Sequence, residues 1–178
     1  MITETFLAGA KPASRATLFF TGWGMDAQPF RAAFPRDRDC IVCHDYSVLD
    51  FDPECARRYD EVLVVAWSMG VWAAASVLPR CSLAVTAAIA VNGTMNPVDD
   101  ALGIPRAVFD GTLAGFTPGS LAKFHRRMCA SPESRAAFHA APPRRDFAGA
   151  RRELEAIAAA AAAPGPAGPP ALGWGFAS

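Results

Sequence analysis

The sequence predicts an α/β fold in which a mostly parallel sheet is flanked by helices. Four apolar runs, each bounded by turn residues, have the character of buried strands. Segments with helical spacing separate them, and this alternation is typical of βαβ units. In 104–163 no strand is evident, and helical spacing is interrupted by five prolines. That region is predicted to form helices over the sheet.

Each element follows from a local pattern. Residues 16–20 form an apolar run that leads into Gly22-Trp23-Gly24, where two glycines indicate a tight bend. Residues 27–34 have helical spacing and stop before Pro35. The remaining predictions are strands at 40–44, 61–66 and 83–91, and helices at 53–59 and 69–78.

The chain is predicted to be one domain, because 178 residues suffice for a single hydrophobic core. Its predicted parts are a sheet core at 16–103, a cap region of three or four short helices at 104–145, an amphipathic helix at 146–163, a Pro/Gly-rich linker at 164–170 and a candidate last strand at 171–178.

Composition excludes some classes of function. The formal net charge is zero, so nothing global points to nucleic acid. No run of 18 or more uncharged apolar residues predicts a membrane span. Five cysteines without a recognisable secretory signal favour reduced thiols and a cytoplasmic protein. Cys40-x-x-Cys43 lies within an apolar run and favours strand packing over metal binding.

Positive charge is concentrated in 123–152, which holds eight basic and two acidic residues. A local basic patch can steer an acidic partner although the whole chain is neutral. Solvated helix faces would explain the same residues without a partner. The candidate docking residues are Lys123, Arg126, Arg127, Arg144, Arg145, Arg151 and Arg152.

The strongest motif is V-L-V-V-A-W-S-M-G-V at 62–71. A strand, a sharp turn carrying Ser68 and a helix together form the nucleophile elbow of an α/β-hydrolase. Ala66 stands where the usual G-x-S-x-G motif has its first glycine, and Ala66 and Gly70 are both small enough for close strand–helix packing. A helix N-cap is the alternative role for Ser68.

An acyl-transfer site also needs donors for the oxyanion. In this geometry one donor is the backbone N–H after the nucleophile, which belongs to Met69, and the second comes from a loop after an earlier strand. The Trp23 N–H is the natural candidate for the second. The Trp23 indole is expected to line the pocket mouth, and Gly22, Trp23 and Trp67 are the candidate substrate-binding residues.

The base and the orienting acid of a triad are not evident. The histidines are His44, His125 and His139, and none follows a last strand. Candidate acids are Asp99 and Asp100, after the fourth strand, and Asp146, which helix capping explains equally well. The expected positions of acid and histidine lie beyond Ser178, so the sequence predicts a missing or atypical C-terminal end.

Seven motifs occur in order: FFTGWGMD at 19–26, CHDY at 43–46, AWSMGV at 66–71, VNGT at 91–94, GIP at 103–105, FHRRMC at 124–129 and REL at 152–154. Together they resemble the BioG-type pimeloyl-[acyl-carrier protein] methyl ester esterases over about 16–157. The resemblance implies an α/β-hydrolase that removes the methyl group from a carrier-bound pimeloyl ester in biotin synthesis.

The resemblance assigns the nucleophile to Ser68 and the oxyanion amides to Trp23 and Met69. It implies an acidic acyl-carrier protein as partner, with the methyltransferase of biotin synthesis as a further candidate, and no metal or organic cofactor. Family members continue with a further acidic loop and a late histidine, so a C-terminal truncation is expected. A non-catalytic truncated domain and another esterase or thioesterase are the alternatives.

Overall fold

A computed structural model describes residues 1–9, 13–162 and 173–177. Their strands form one six-stranded sheet in the order β1-β3-β2-β4-β5-β6. All pairs are parallel except β1 with β3. The strands are β1 (Ile2–Phe6), β2 (Arg15–Phe20), β3 (Asp39–His44), β4 (Glu61–Trp67), β5 (Val85–Val91) and β6 (Trp174–Ala177).

Helices flank this sheet, which confirms the predicted fold class. They are α1 (Glu54–Arg57), α2 (Met69–Val77), α3 (Arg106–Ala114), α4 (Pro118–Met128), α5 (Pro132–Ala140) and α6 (Phe147–Ala162), with 3₁₀ turns at Gln28–Ala33 and Leu78–Arg80. The segment at 27–34 is thus a 3₁₀ helix, with a proline in its first turn. No described helix has both the length and the apolar content that crossing a membrane requires.

The sequence prediction missed β1. This strand is short, three of its five side chains are polar and three are exposed, so its apolar pattern is weak. It pairs antiparallel with β3 at the edge of the sheet, where Thr3 lies opposite Cys43. At the other edge, β6 falls within the candidate last strand and pairs parallel with β5. The predicted linker at 164–170 lies outside the described residues.

The core forms where the sheet meets α2. Leu18, Val64 and Ala66 are fully buried on one side of the sheet, and Val71 is fully buried on the helix. Residues of β3 are buried on both faces, as expected for an inner strand of a parallel sheet. Because parallel strands end at one edge, the loops after β2, β3, β4 and β5 meet there.

Three short helices, α3 to α5, lie between β5 and α6 in the region predicted to form a cap. The N-termini of α4 and α5 carry capping boxes, Thr117 with Ser120 and Ser131 with Ser134. Phe116 and Phe124 bring this region onto the loop after β2, with ring centroids 5.4 and 5.1 Å from that of Trp23. α6 then packs against the same loop.

Candidate active site

Ser68 lies at the sharp turn between β4 and α2. Its backbone has φ 56° and ψ −124°, a conformation that non-glycine residues rarely adopt. It occupies the N-cap position of α2, but its side chain makes no capping hydrogen bond. The helix-cap alternative therefore does not account for this serine, and its strained, partly exposed position between strand and helix agrees with the geometry predicted for an elbow.

Close backbone contacts hold the elbow. A Cβ added to Gly70 would lie 2.3 Å from the carbonyl oxygen of Phe20, and one added to Gly93 would lie 2.3 Å from that of Ser68. The Ser68 N–H donates to the carbonyl of Val91 at 2.9 Å. The turn is thus fixed between the end of β2 and the loop after β5. Gly70 and Gly93 must be glycine because a larger side chain at either position would collide with the backbone.

The two predicted oxyanion amides lie on neighbouring loops. β2 and β4 are adjacent, with Phe20 opposite Ala66, so the loop that carries Trp23 runs beside the elbow. Met69 is the first residue of α2, where a helix leaves its N–H groups without intrahelical acceptors. Neither the Trp23 nor the Met69 N–H donates to another described residue. Both remain available for a developing negative charge.

The side chain of Trp23 differs from the expectation. Trp23 is only 7% exposed, and its indole Nε1 donates to the carbonyl of Ala150 at 2.7 Å. The ring is packed among cap aromatic side chains, so it anchors the loop rather than lining a pocket mouth. Gly22 and Trp67, the other two candidate binding residues, pack closely against each other. A Cβ added to Gly22 would lie only 2.7 Å from the ring of Trp67.

An apolar cavity of about 380 Å³ adjoins the elbow. Trp67, which precedes Ser68, forms part of its wall, with Met25 and Phe30 from the segment after β2. Met128 and Phe138 close it from α4 and α5. Sequence reasoning did not find this cavity, because its walls come from segments more than 100 residues apart.

Sequence reasoning also missed the role of Glu153. This α6 residue is fully buried, and its carboxylate accepts hydrogen bonds from the Gly24 N–H at 3.0 Å, the Tyr46 N–H at 3.0 Å and Arg145 Nη2 at 3.1 Å. Burial raises the pKa of Glu153, while these donors oppose the shift. The available signal was a glutamate on an otherwise apolar helix face, three residues after Ala150.

Arg145 joins this carboxylate to a second one. Its Nη1 lies 3.0 Å from Oδ2 of Asp45, which follows β3 with a φ of 61°. Burial would raise the pKa of Asp45, but hydrogen bonds from Ser47 and the charge of Arg145 outweigh burial and lower it. With a side chain only 9% exposed, Arg145 serves this internal network, which removes it from the candidate docking surface.

The three histidines lie in different surroundings. His44, the last residue of β3, is buried, and its Nε2 lies 3.0 Å from Oε1 of Glu4 on β1. His125, on α4, packs against Phe138 with ring centroids 5.2 Å apart, and His139 is exposed on α5. Burial is the largest influence on the pKa of His44 and of His125, and lowers both. Within the described residues, none of them hydrogen-bonds to Ser68.

The candidate acids have structural partners. Asp99 accepts hydrogen bonds from the N–H groups of Ala101 and Leu102, and Asp100 accepts one from that of Arg106. Asp146 accepts the Gly149 N–H at 2.6 Å and so caps α6. No described carboxylate is bonded to a described histidine that also reaches Ser68.

The other candidate docking residues divide into two groups. Arg144 lies near Glu4 and Asp26, and Arg151 pairs with Glu155 at 2.9 Å. Lys123, Arg126, Arg127 and Arg152 are exposed, and no described carboxylate lies within ion-pair distance of them. On α4 the spacing of 123, 126 and 127 puts three of these charges on one face.

Cysteines and metal ligands offer no second site. Cys40 and Cys43 are buried free thiols on β3, and burial raises the pKa of Cys40 to about 12. Across the described parts of the chain, no cluster of three or more His, Cys, Asp or Glu side chains could hold a metal ion.

Comparison with known proteins identifies relatives of this arrangement. The chain is 47% identical over 152 residues to a malonyl-[acyl-carrier protein] O-methyltransferase of Bacteroides fragilis (strain 638R), covering 85% of this chain and 31% of that protein. It is 39% identical over 141 residues to an uncharacterized protein of Haemophilus influenzae, covering 79% of this chain and 64% of the relative. The chain thus spans less than two thirds of either curated relative.

Solved structures with a similar fold include a BioG protein and a lipase-esterase related protein. The crystal structure of BioG from Haemophilus influenzae matches with a TM-score of 0.77 and 36% identity, covering 90% of this chain and 72% of that one. A lipase-esterase related protein from Clostridium acetobutylicum matches with a TM-score of 0.61 at 15% identity, covering 89% and 72% of the two chains, which shows the fold alone. The sequence profile of the family described as pimeloyl-ACP methyl esterase BioG matches residues 8–163, and the chain belongs to this family.

Proposed function

We propose that this chain is a serine esterase that hydrolyses the methyl ester of pimeloyl-[acyl-carrier protein] in biotin synthesis. The observation that carries the proposal is Ser68 on a positive-φ turn between β4 and α2, with a side chain that makes no capping hydrogen bond to the helix. Membership of the BioG family supplies the substrate class. A cytoplasmic location is part of the proposal, in keeping with five free cysteines.

The chemistry proceeds through an acyl-enzyme. Ser68 Oγ attacks the ester carbonyl carbon while its proton passes to a base, and the carbonyl oxygen becomes an oxyanion between the Trp23 and Met69 N–H groups. Collapse of this intermediate expels methoxide, which takes up the proton held by the base and leaves as methanol. Water then attacks the acyl-enzyme, releases the pimeloyl carboxylate and returns the proton to Ser68.

The apolar cavity next to Trp67 is suited to the methylene chain of the substrate. It has a volume of about 380 Å³ and is lined mainly by apolar side chains, including Met25, Phe30 and Phe138. Each methylene group buried there would add about 0.8 kcal/mol to the binding free energy, which favours a long acyl chain. Gly22 and Trp67, which pack together beside the elbow, are proposed to line the approach to Ser68.

The exposed basic face of α4 is the proposed docking surface for the carrier protein. Lys123, Arg126 and Arg127 lie together there, and Arg152 is a further exposed candidate from α6. Such a patch attracts an acidic partner and raises its rate of association. Arg144 and Arg151 stay as secondary candidates, because described carboxylates already pair with them. The methyltransferase that forms the ester is a further proposed partner.

Release of methanol from pimeloyl-[acyl-carrier protein] methyl ester tests the proposal. Wild type and Ser68→Ala should be compared with Thr112→Ala, which removes an exposed hydroxyl on α3. We expect turnover by wild type and the control, and a fall of at least about 10³-fold for Ser68→Ala. Equal rates for wild type and Ser68→Ala would contradict the role of Ser68.

The same assay separates the alternatives. Because no described histidine is bonded to Ser68, the rate also reports whether a base reaches it; without one, only about 10³–10⁴-fold catalysis over water should remain. Carrier binding without turnover would indicate a non-catalytic domain. Hydrolysis of short p-nitrophenyl esters or thioesters, with none of the carrier-bound ester, would indicate a different esterase or a thioesterase.

A further inference from the structure

A single carboxylate connects α6 to the loops after β2 and β3. Oε2 of Glu153 accepts hydrogen bonds from the Gly24 N–H and from Arg145 Nη2, and Oε1 accepts one from the Tyr46 N–H. Gly24, Tyr46 and Arg145 are 129, 107 and 8 residues away from Glu153 in sequence. No local rule of helix formation accounts for the first two bonds.

α6 contacts the loop after β2 at a second point. The indole of Trp23 donates to the carbonyl of Ala150 at 2.7 Å, one helical turn before Glu153. One face of α6 therefore holds the Trp23 side chain and the backbone of the next residue. Gly24 has a φ of 71°, so the chain bends sharply at the position where Glu153 holds it.

Tyr46 extends the connection to the beginning of the same loop. Its N–H is held by Glu153, and its hydroxyl donates to the carbonyl of Thr21 at 2.7 Å. Thr21 and Gly24 enclose the Gly22–Trp23 peptide, whose N–H is the proposed oxyanion donor. Both ends of the segment 21–24 are thus linked to Glu153, directly at one end and through Tyr46 at the other.

A buried carboxylate is an expensive way to stabilise a helix. Burial of a charge is costly, and apolar residues of similar volume often replace buried ion pairs without loss of stability. Glu153 is fully buried beside Leu154 and four residues from Ile157, where an apolar side chain would fit the helix pattern. What the carboxylate provides is a fixed geometry for two loops at the candidate active site.

We propose that Glu153 is a positioning residue that fixes the segment 21–24 so that the Trp23 N–H points at the developing oxyanion. This inference rests on the proposed esterase function. It assigns Glu153 no contact with substrate. Because a preorganised donor acts more strongly on the transition state than on the planar ester, loss of Glu153 should lower kcat more than it changes KM.

The test is Glu153→Gln, with Glu155→Gln as the matched control. Glu155 lies two residues further along α6, is about half exposed and pairs only with Arg151 among the described residues. A short p-nitrophenyl ester avoids any effect of carrier docking. We expect Glu153→Gln to lower kcat by about 10-fold or more with KM within about twofold, against up to about 10³-fold for complete loss of an oxyanion donor. Glu155→Gln should match wild type.

A trifluoromethyl ketone, which forms a tetrahedral adduct with an active serine, separates positioning from general destabilisation. Glu153→Gln should weaken its inhibition by about the same factor as kcat. If this variant melts below the assay temperature, Tyr46→Phe carries the test. It removes the hydroxyl that donates to the carbonyls of Thr21 and Cys43 and keeps the Tyr46 N–H bond to Glu153, and it should lower kcat with KM unchanged. Wild-type kcat and inhibition in a folded variant would overturn the inference.

Amide resonances give a readout that needs no activity. In wild type, the Gly24 and Tyr46 N–H signals should show the downfield shift of donors to a carboxylate, and Glu153→Gln should move them together with the Trp23 amide. Unmoved Trp23 and Gly24 signals would refute positioning. If Glu153→Gln moves these signals but the wild type hydrolyses no ester, the proposed function is refuted while the loop geometry stands, so the two failures are distinguishable.

Discussion

The backbone of Gly70 approaches the carbonyl of Phe20 so closely that a Cβ on Gly70 would lie 2.3 Å from that oxygen. Contact at this distance makes glycine a steric requirement where α2 crosses the end of β2. Ala66, four residues earlier, is fully buried but has room for its methyl group. This difference explains why alanine serves at one of the two small positions of the elbow while the other is glycine.

Gly70→Ala should therefore destabilise the protein. The added methyl group meets backbone atoms that cannot move independently, so we expect a loss of about 1–3 kcal/mol in the free energy of unfolding. Gly111→Ala is the control, because Gly111 lies in α3 with nothing within 4 Å of an added Cβ. That change should be neutral or stabilise by up to about 1 kcal/mol. Urea denaturation measures both, and equal stability of the two variants would refute the steric argument.

The backbone strain at Ser68 gives a second prediction. A non-glycine residue at φ 56° and ψ −124° stores about 1–3 kcal/mol, whereas glycine adopts this conformation freely but loses about 0.5–1 kcal/mol of chain entropy. Ser68→Gly should thus be more stable than Ser68→Ala by about 1 kcal/mol, and both should be inactive.

Ser76, inside α2, supplies the comparison for this pair of variants. Its hydroxyl donates to the carbonyl of Trp72, and its backbone is helical. Ser76→Gly should therefore be less stable than Ser76→Ala by about 1 kcal/mol, so the stability difference between glycine and alanine has the opposite sign from that at Ser68. Thermal or urea unfolding of the four variants is sufficient, and the same sign at both positions would show that Ser68 is not strained.

The docking proposal predicts a charge effect that depends on the substrate. A triple variant, Lys123→Glu, Arg126→Glu and Arg127→Glu, reverses the charge of the exposed α4 face. It should raise KM for the carrier-bound ester by about 10-fold at low salt, because electrostatic steering is lost. KM for a short soluble ester should not change. Arg80→Glu, at the opposite end of α2 from Ser68, should leave both values unchanged. An equal effect of the triple variant and of Arg80→Glu would reject a docking surface on α4.

Protonation of the buried His44 and the half-buried His125 should lower stability in mild acid. Burial lowers the pKa of His125 below the ordinary value of 6.5, with a further contribution from nearby His139. Burial also lowers the pKa of His44, where Arg145 acts in the same direction and Glu4 and Asp26 oppose it. A depressed folded pKa means that the unfolded chain binds protons first, so stability present above pH 6.5 is lost as the pH falls below it.

His125→Phe should remove part of this loss. The ring would still pack against Phe138, while the buried Nε2, which has no partner in the described structure, would be gone. The decline of the unfolding free energy between about pH 7 and 5 should become shallower, by at most about 1.4 kcal/mol per pH unit. His139→Phe, which replaces the exposed neighbouring histidine, should leave most of this decline in the unfolding free energy unchanged. Identical pH profiles for wild type and His125→Phe would contradict the role of burial.

Local sequence patterns were sufficient for the inner strands and the elbow. The apolar runs at 16–20, 40–44 and 61–66 each coincide with a parallel strand, and the run at 83–91 contains β5. Such patterns are informative because burial on both faces requires an uninterrupted apolar segment. The capping of α6 by Asp146 was also evident locally, since a cap and its helix are neighbours in sequence.

Local patterns were insufficient where a residue's role depends on distant partners. Five residues near the N-terminus, with three polar side chains between Ile2 and Phe6, become strand β1 only because β3 offers an edge about 40 residues later. Arg145 is one of several arginines in a basic segment, but tertiary packing places it between Asp45 and Glu153. Charge composition cannot distinguish such an internal arginine from a solvated one.

The sequence by itself determined the α/β class, the strand–turn–helix around Ser68 and the family to which the chain belongs, because each depends on residues close together or on motifs in a fixed order. Only the tertiary structure decided that Trp23 is a buried anchor and that Glu153 holds the loop beside it. Their partners lie 127 and 129 residues away, and hydrogen bonds across that separation leave no periodic signal in the chain.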